Sequence, residues 1–206
     1  MPIEPSIKRA VVFFDGQNLF HHAKAAFGYA FPNYDVAKLA ACVCGVRGWK
    51  LRGVRFYTGV PDATDRPSLN HFWNAKLAAM GRDGIVVYSR SLRYRNKTFQ
   101  LRDGTAHTFL FGEEKGIDVR IALDMIALAN RDEYDVAVAF SQDQDLSEVA
   151  QEIRMLAHQQ NRWIKMACAF PVSPTITNRR GINGTDWIRI ERAAYDQCVD
   201  PNDYRT

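Results

Sequence analysis

Short, wholly apolar runs closed by polar or turn-forming residues recur along this chain. They alternate with stretches whose apolar residues fall at helical spacing. Ala10–Phe14 (AVVFF), Ile85–Tyr88 (IVVY) and Asp135–Phe140 (DVAVAF) are too short for helices and lack the polar alternation of a strand with one wet face. The run at 135–140 fits a strand buried on both sides of a parallel sheet. Leu51–Val60 alternates around Val54, Phe56 and Thr58 and stops at Pro61, and Trp163–Ala169 and Trp187–Ile190 read as two further strands.

The intervening stretches read as helices. Leu19, Ala23, Ala26 and Phe27 share one face of a helix ending near Gly28. Asp35 caps a second helix that runs through Cys44, with Gly45 as its stop. Pro67–Met80 carries a stripe of Leu69, Phe72, Trp73, Lys76, Leu77 and Met80 and ends at Gly81 and Gly84. Ile117–Asn130 is expected to bury Ile117, Ile121, Leu123, Met125, Ile126 and Leu128. Leu146–Leu156 has apolar residues at 146, 149, 150, 153 and 156, and Glu191–Val199 reads as a terminal helix. Strands and helices in this alternation predict an α/β fold, a doubly wound and mostly parallel sheet with right-handed crossovers.

One segment departs from the pattern. Ser89–Arg102 (SRSLRYRNKTFQLR) holds Arg90, Arg93, Arg95, Lys97 and Arg102 with no acid, and Asp103-Gly104 is a hairpin-turn pair. Thr98–Phe111 is therefore expected to form a β-hairpin arm leaving the sheet, whose free edges could also pair two copies in a homodimer. At 206 residues, 47% apolar and 24% charged, the chain suits one globular domain over 1–206 with a core of about 9–199. The net charge of +4 permits a polyanionic partner without demanding one. No apolar run approaches the roughly 20 residues of a membrane span, and the amino terminus lacks the apolar core of a signal peptide. Cys42, Cys44, Cys168 and Cys198 show no zinc spacing and read as buried thiols. Those features suit a soluble, cytoplasmic protein.

Carboxylates gather where the buried runs end. Asp15 closes the first, and Asp143 and Asp145 follow the run at 135–140 within Ser141-Gln142-Asp143-Gln144-Asp145. Asp118 lies in the first turn of the helix between. The carboxyl edge of an open α/β sheet is where ligands bind. Plainer roles fit too: Asp145 with Glu148 makes a helix-capping pair, Asp118 suits the helix dipole, and Asp15 before Gly16 suits a turn. If the first strand and the 135–140 strand are neighbours, the four acids share one crevice. Two carboxylates about 6 Å apart at an effective dielectric near 20 repel by roughly 3 kcal/mol, so four would need a cation. Oxygen donors without His or Cys favour Mg²⁺ or Mn²⁺. Asp124, six residues past Asp118, is turned about 120° round the helix and reads as an outer support or as the partner of Lys115 or an arginine. Asn18 could orient Asp15 or a water.

These residues carry a family resemblance. Asp15-Gly16-Gln17-Asn18 after an apolar strand resembles the DGxN opening of the NYN domain. Lys115-Gly116-Ile117-Asp118-Val119 with Ala122-Leu123-Asp124 is similar to its KGxDVxxAxD helix, and Ser141–Asp145 resembles its SxDxD segment. The match extends from about Arg9 to Val199. The NYN family, including its LabA-like branch, belongs to the PIN-like nucleases. The resemblance implies a sheet ordered 3-2-1-4-5, and Asp15, Asp118, Asp143 and Asp145 around Mg²⁺ or Mn²⁺ cutting RNA. Asn18, Lys115, Asp124 and Ser141 would support them. Many members have proline three residues after the last aspartate, where this chain has Glu148.

The cations of the arm, interleaved with Tyr94 and Phe99, suit single-stranded RNA or DNA, and Arg179-Arg180 is a second candidate contact. The expected activity is metal-dependent hydrolysis of RNA leaving 5′-phosphate and 3′-hydroxyl ends. A non-catalytic RNA-binding module and a DNA-directed nuclease are the alternatives.

Overall fold

The computed structural model describes residues 2–205, so the first and last positions of the expected 1–206 domain lie outside the described residues. In chain order the elements are β1 (Arg9–Asp15), α1 (Gly16–Phe27), α2 (Val36–Arg47), β2 (Lys50–Val60), α3 (Pro67–Arg82) and β3 (Val86–Ser91). There follow β4 (Arg93–Gln100), β5 (Ala106–Glu113), α4 (Ile117–Asn130), β6 (Val136–Phe140), α5 (Ser147–Gln159), β7 (Lys165–Pro171), β8 (Asp186–Ile190) and α6 (Arg192–Asp196). Six strands form one sheet in the order β3-β2-β1-β6-β7-β8, and every neighbouring pair is parallel. With the hairpin set aside, this is the 3-2-1-4-5 order implied by the resemblance, extended by β8. Strands β4 and β5 make a separate antiparallel ribbon.

Alternation along β1 and β6 builds the two cores. Val12, Phe14, Val138 and Phe140 face the layer of α1, α2 and α3, and Phe14 and Phe140 stack at 4.1 Å between centroids. Val11, Phe13, Ala137 and Ala139 face the layer of α4 and α5. Losing a ring such as Phe14 or Phe140 costs about 3–5 kcal/mol. The same period of two carries the next residues, Asp15 and Ser141, to the α4 side, where their side chains meet.

Several expected boundaries move, each for a local reason. Helix α2 runs through Gly45 and stops at Gly48, whose φ of 66° supplies the left-handed cap. Gly45 is exposed, and an exposed glycine inside a helix costs only about 1 kcal/mol. Helix α3 likewise passes Gly81 to Arg82, and the chain reverses at Gly84 with φ 80°. Leu123 is 58% exposed, because the buried stripe of α4 is Ile117, Ile121, Met125 and Leu128 at three- and four-residue steps. Strand β3 extends to Ser91 and the hairpin already begins at Arg93, because β4 pairs with β5 from Arg93↔Glu113 onward. Strand β7 spans Lys165–Pro171 and α6 only Arg192–Asp196. Of the four cysteines, all free, Cys42 is half-buried and the others are buried. No described helix is long and apolar enough to cross a membrane.

Candidate functional site

Strands β1 and β6 are direct neighbours, with Phe14 opposite Phe140, so the loops leaving their carboxyl ends lie side by side. The β1–α1 turn is tight. A Cβ at Gly16 would sit 2.5 Å from a ring carbon of Phe56 and 3.0 Å from the Tyr57 carbonyl, so only glycine fits between Asp15 and Gln17. Asp15 is then fixed by the Asn18 backbone N–H, which donates to Oδ1 at 3.1 Å, and by the Ser141 hydroxyl, which donates to Oδ2 at 3.3 Å. Ser141 Oγ in turn accepts from the Asp143 backbone N–H at 3.1 Å. Asn18 clips the two loops together, its Oδ1 accepting the Gln142 N–H at 2.9 Å.

The structure corrects one local expectation. The capping carboxylate is Asp143, which accepts the Asp145 N–H at 3.0 Å and opens a single 3-10 turn, Gln144–Leu146. No side-chain cap bond opens α5 at Ser147. The turn leads the chain into α5 without a cap from Asp145, and Asp145 and Glu148 are both exposed.

A further acid, Glu114, stands in the crevice. It lies just before α4, and its carboxylate accepts the backbone N–H of Gly59 near the end of β2. Gly59 is glycine for this reason: a Cβ there would lie 2.7 Å from Glu114 Oε2 and 2.6 Å from Leu92 Cδ2. The sequence carries a signal for this contact, since a glycine inside a strand marks close approach of another group. Gly116 is equally constrained, with φ 74° and Arg90 Nη1 2.8 Å from the position of a Cβ.

Asp15, Glu114, Asp118 and Asp143 interact through their charges. Burial pushes Asp15 up to about 6, with the charges of Asp143 and Asp118 adding to the rise and the Asn18 and Ser141 hydrogen bonds opposing it. Burial likewise pushes Glu114 up to about 7, helped by Asp15 and Asp118 and opposed by the Gly59 N–H. Among the described residues no lysine, arginine or histidine forms an ion pair with any of these four. Asp145 is not among the charges that raise either group.

The supporting residues divide. Asp124 is buried and neutralised, accepting from Tyr57 Oη at 2.7 Å, Arg55 Nη1 at 3.3 Å and Arg120 Nη2 at 2.5 Å, which ties α4 to β2. Its partners are arginines, and Lys115 is exposed. Gln142 Oε1, on the loop between Ser141 and Asp143, is buried without a hydrogen-bond partner among the described residues.

The cations lie around this edge. Arg90 packs on Tyr88, donating to its hydroxyl at 2.6 Å, beside the start of α4. In the ribbon, residues opposite one another share a face, so Arg93, Arg95 and Lys97 lie on the same side as Phe99, Phe109 and Phe111. Lys97 Nζ sits 3.7 Å over the Phe111 ring, and Phe99 stacks on Phe109. Arg95 is paired with Glu113 at 2.8 Å, and Tyr94 is spent structurally, its hydroxyl accepting the Asp62 N–H and donating to Asp65. Arg93 and Arg102 are exposed. Arg179 donates to the carbonyls of Ile176 and Pro174, ordering its own loop. The carbonyl of Arg180 accepts from Gln142 Nε2 at 2.6 Å, which brings that residue's backbone to the edge of the crevice.

An acid-lined edge at the junction of β1 and β6 agrees with what the chain is similar to. Residues 9–163 match the NYN domain family. The chain belongs to that family. Membership implies nuclease-like chemistry for this NYN domain. A crystal structure of a protein of unknown function, VPA0982 from Vibrio parahaemolyticus RIMD 2210633, superposes with a TM-score of 0.52 at 18% identity, covering 92% of this chain and 98% of that one. It supports the fold. A deacetylase–teicoplanin complex, with a TM-score of 0.32 at 14% identity over 75% of this chain and 67% of that one, is too distant to add to it. No curated protein matches this chain.

The donor set fits a hard divalent cation in kind, being all oxygen. Among the described residues no three acidic, histidine or cysteine side chains are grouped to cage an ion.

Proposed function

We propose that this NYN domain is a metal-dependent ribonuclease working as one domain, with Mg²⁺ or Mn²⁺ held at the carboxyl edge by Asp15, Asp118 and Asp143, and Asp145 completing the set from the adjoining turn. The reading rests on one observation: buried Asp15 lies among the charges of Glu114, Asp118 and Asp143, and among the described residues no cationic side chain pairs with them. An uncompensated buried carboxylate costs free energy, and a bound cation removes that cost. The cation, when bound, supplies Lewis-acid polarisation of the phosphodiester and acidifies an attacking water. Ser141 and Asn18 hold Asp15 and the Asp143 loop in register. Arg90 beside α4 and Arg93 and Lys97 on the ribbon neutralise phosphates of the incoming strand. Arg95, Arg102, Arg179 and Arg180, with Tyr94 as a structural brace, extend that basic surround. The partner is single-stranded RNA in the cytoplasm, and the ribbon edges offer a route to a homodimer.

Incubating labelled single-stranded RNA with Mn²⁺ tests this. Asp143→Asn should remove cleavage and leave the thermal midpoint within a few degrees; cleavage at the wild-type rate sinks the proposal. A second reading is an RNA-binding module without turnover, because among the described residues no three acidic, histidine or cysteine side chains are grouped to cage an ion. Saturable RNA binding with no product over a full Mn²⁺ titration would establish that instead.

A further inference from the structure

A groove of about 660 Å³ lies between α1 and the hairpin. Its floor is one face of α1, where Gln17, Phe20, His21 and Lys24 follow at three- and four-residue steps, opposite the stripe of Leu19, Ala23 and Phe27 that packs into the core. Its far wall is the ribbon, through Phe109 and Phe111. Phe31 and Arg66, from the loops before α2 and α3, close the side. The groove opens at Gln17, two residues past Asp15, and Gln17 Nε2 donates at 3.4 Å to the carbonyl of Gly59, whose N–H holds Glu114. Gln17 is thus the lining residue that links the groove to the turn carrying Asp15.

The lining selects among ligands. Phe109 and Phe111 are 45% and 37% exposed, with Phe109 stacked on Phe99 and Phe111 under Lys97 on one side. Lys24 and His21 are exposed on the floor opposite. Asp65 is the one acid lining the groove among the described residues. The Tyr94 hydroxyl donates to it at 3.1 Å, and Arg66 lies 3.8 Å away. Rings for stacking beside cations for phosphate are what a single strand of nucleic acid requires. The volume falls in the ~300–1,000 Å³ range of small-ligand sites, enough for about one or two nucleotides.

We propose that this groove is a base-binding subsite, in which one or two nucleobases of a single-stranded nucleic acid stack on Phe20, Phe109 or Phe111 while Lys24 and Arg66 meet the flanking phosphates. The inference rests on the nuclease reading for the identity of the polymer. It adds that the bases themselves are gripped on the α1 side of the scissile position, between α1 and the ribbon face that carries Phe109, Phe111 and Lys97.

The test measures binding in EDTA, so that no strand is cut, using a labelled ten-nucleotide oligouridylate, its deoxy counterpart and an abasic oligonucleotide of equal length and charge. The base-bearing RNA should bind about tenfold or more tightly than the abasic strand, from the stacking that each held base typically contributes. The deoxy strand reports whether the sugar is read as well. Phe111→Ala should erase most of that ratio and Phe111→Trp restore it, and Lys24→Gln should weaken both strands alike. Photocrosslinking of a 5-iodouridine strand should label Phe20, His21, Phe109 or Phe111. Equal affinity for the abasic strand, or crosslinks confined to residues outside the groove, overturns the subsite even if Mn²⁺-dependent cleavage is robust. Base-dependent binding without cleavage would keep the subsite and remove the nuclease. Tight binding of an apolar peptide with no affinity for any of the strands would make the groove a protein-docking surface and overturn the proposal.

Discussion

Strands β1 and β6 run side by side, and an aspartate stands at each end of the pair. At the amino ends, Asp135 accepts from the Arg9 backbone N–H at 2.8 Å and from its guanidinium at 2.8 and 3.1 Å. Burial raises the Asp135 carboxyl, but the Arg9 hydrogen bonds and the charges of Arg9 and Arg162 outweigh it and leave it below the usual range. At the carboxyl ends, Asp15 accepts from a backbone N–H and a hydroxyl, pairs with no cation among the described residues, feels the charges of other acids, and is raised by burial to about 6. The sheet thus treats the same residue type in opposite ways. One end satisfies its charge with chain residues; the other leaves it without an ion-pair partner among the described residues. Strongly perturbed carboxylates in a crevice are where function tends to sit.

The comparison can be broken by exchanging the same atom at each end. Asp15→Asn should lower RNA cleavage by about 10²-fold or more, the scale of a positioned catalytic group, read from initial rates on a labelled strand. Asp135→Asn should leave the rate per folded molecule unchanged and cost roughly 1–3 kcal/mol of stability in urea titrations, discounted because Arg9 is partly exposed. Reversed outcomes would mean that the two ends have been assigned the wrong way round.

Protons sharpen it. Because folding raises Asp15 from 3.8 to about 6, its neutral form favours the folded state below about pH 4, and that advantage is lost as pH rises through about 6. Asp15→Asn should therefore raise the thermal midpoint at pH 8, by at most about 3 kcal/mol in stability, and do nothing at pH 4. Divalent-cation affinity should climb between about pH 5.5 and 8 as Asp15 and then Glu114, raised to about 7, give up their protons. Glu114→Gln should shift that climb to lower pH, read by Mn²⁺ titration calorimetry. Gly59→Ala should push Glu114 and Leu92 aside at a cost of about 1–3 kcal/mol and shift the climb in the same direction. The smallest effect belongs to the ribbon: Arg93→Gln should weaken RNA binding a few-fold and lower the salt slope by about 0.7, leaving the pH profile in place.

Periodicity alone made the buried strands, their order in the chain and most helix faces legible, because runs such as AVVFF and DVAVAF have one physically sensible home. The glycines of Asp15-Gly16 and Lys115-Gly116 could also be read, and packing against Phe56 and Arg90 now explains them. The start of the ribbon at Arg93 was not legible, since β4 is polar on both faces and leaves no apolar period to follow. Glu114 was missed because its importance comes from Gly59, more than fifty residues away.

The sequence by itself determined a parallel α/β sheet with acids at its carboxyl edge, since hydrophobic spacing is a local property that survives in one dimension. Only the tertiary structure decided which acids meet. It made β1 and β6 neighbours, turned Asp15 and Ser141 to the same face, brought Glu114 in over Gly59, gave Asp124 to Arg55 and Arg120, and left Asp145 in solvent. Charges act through space at a few ångströms, and no spacing along the chain encodes those distances.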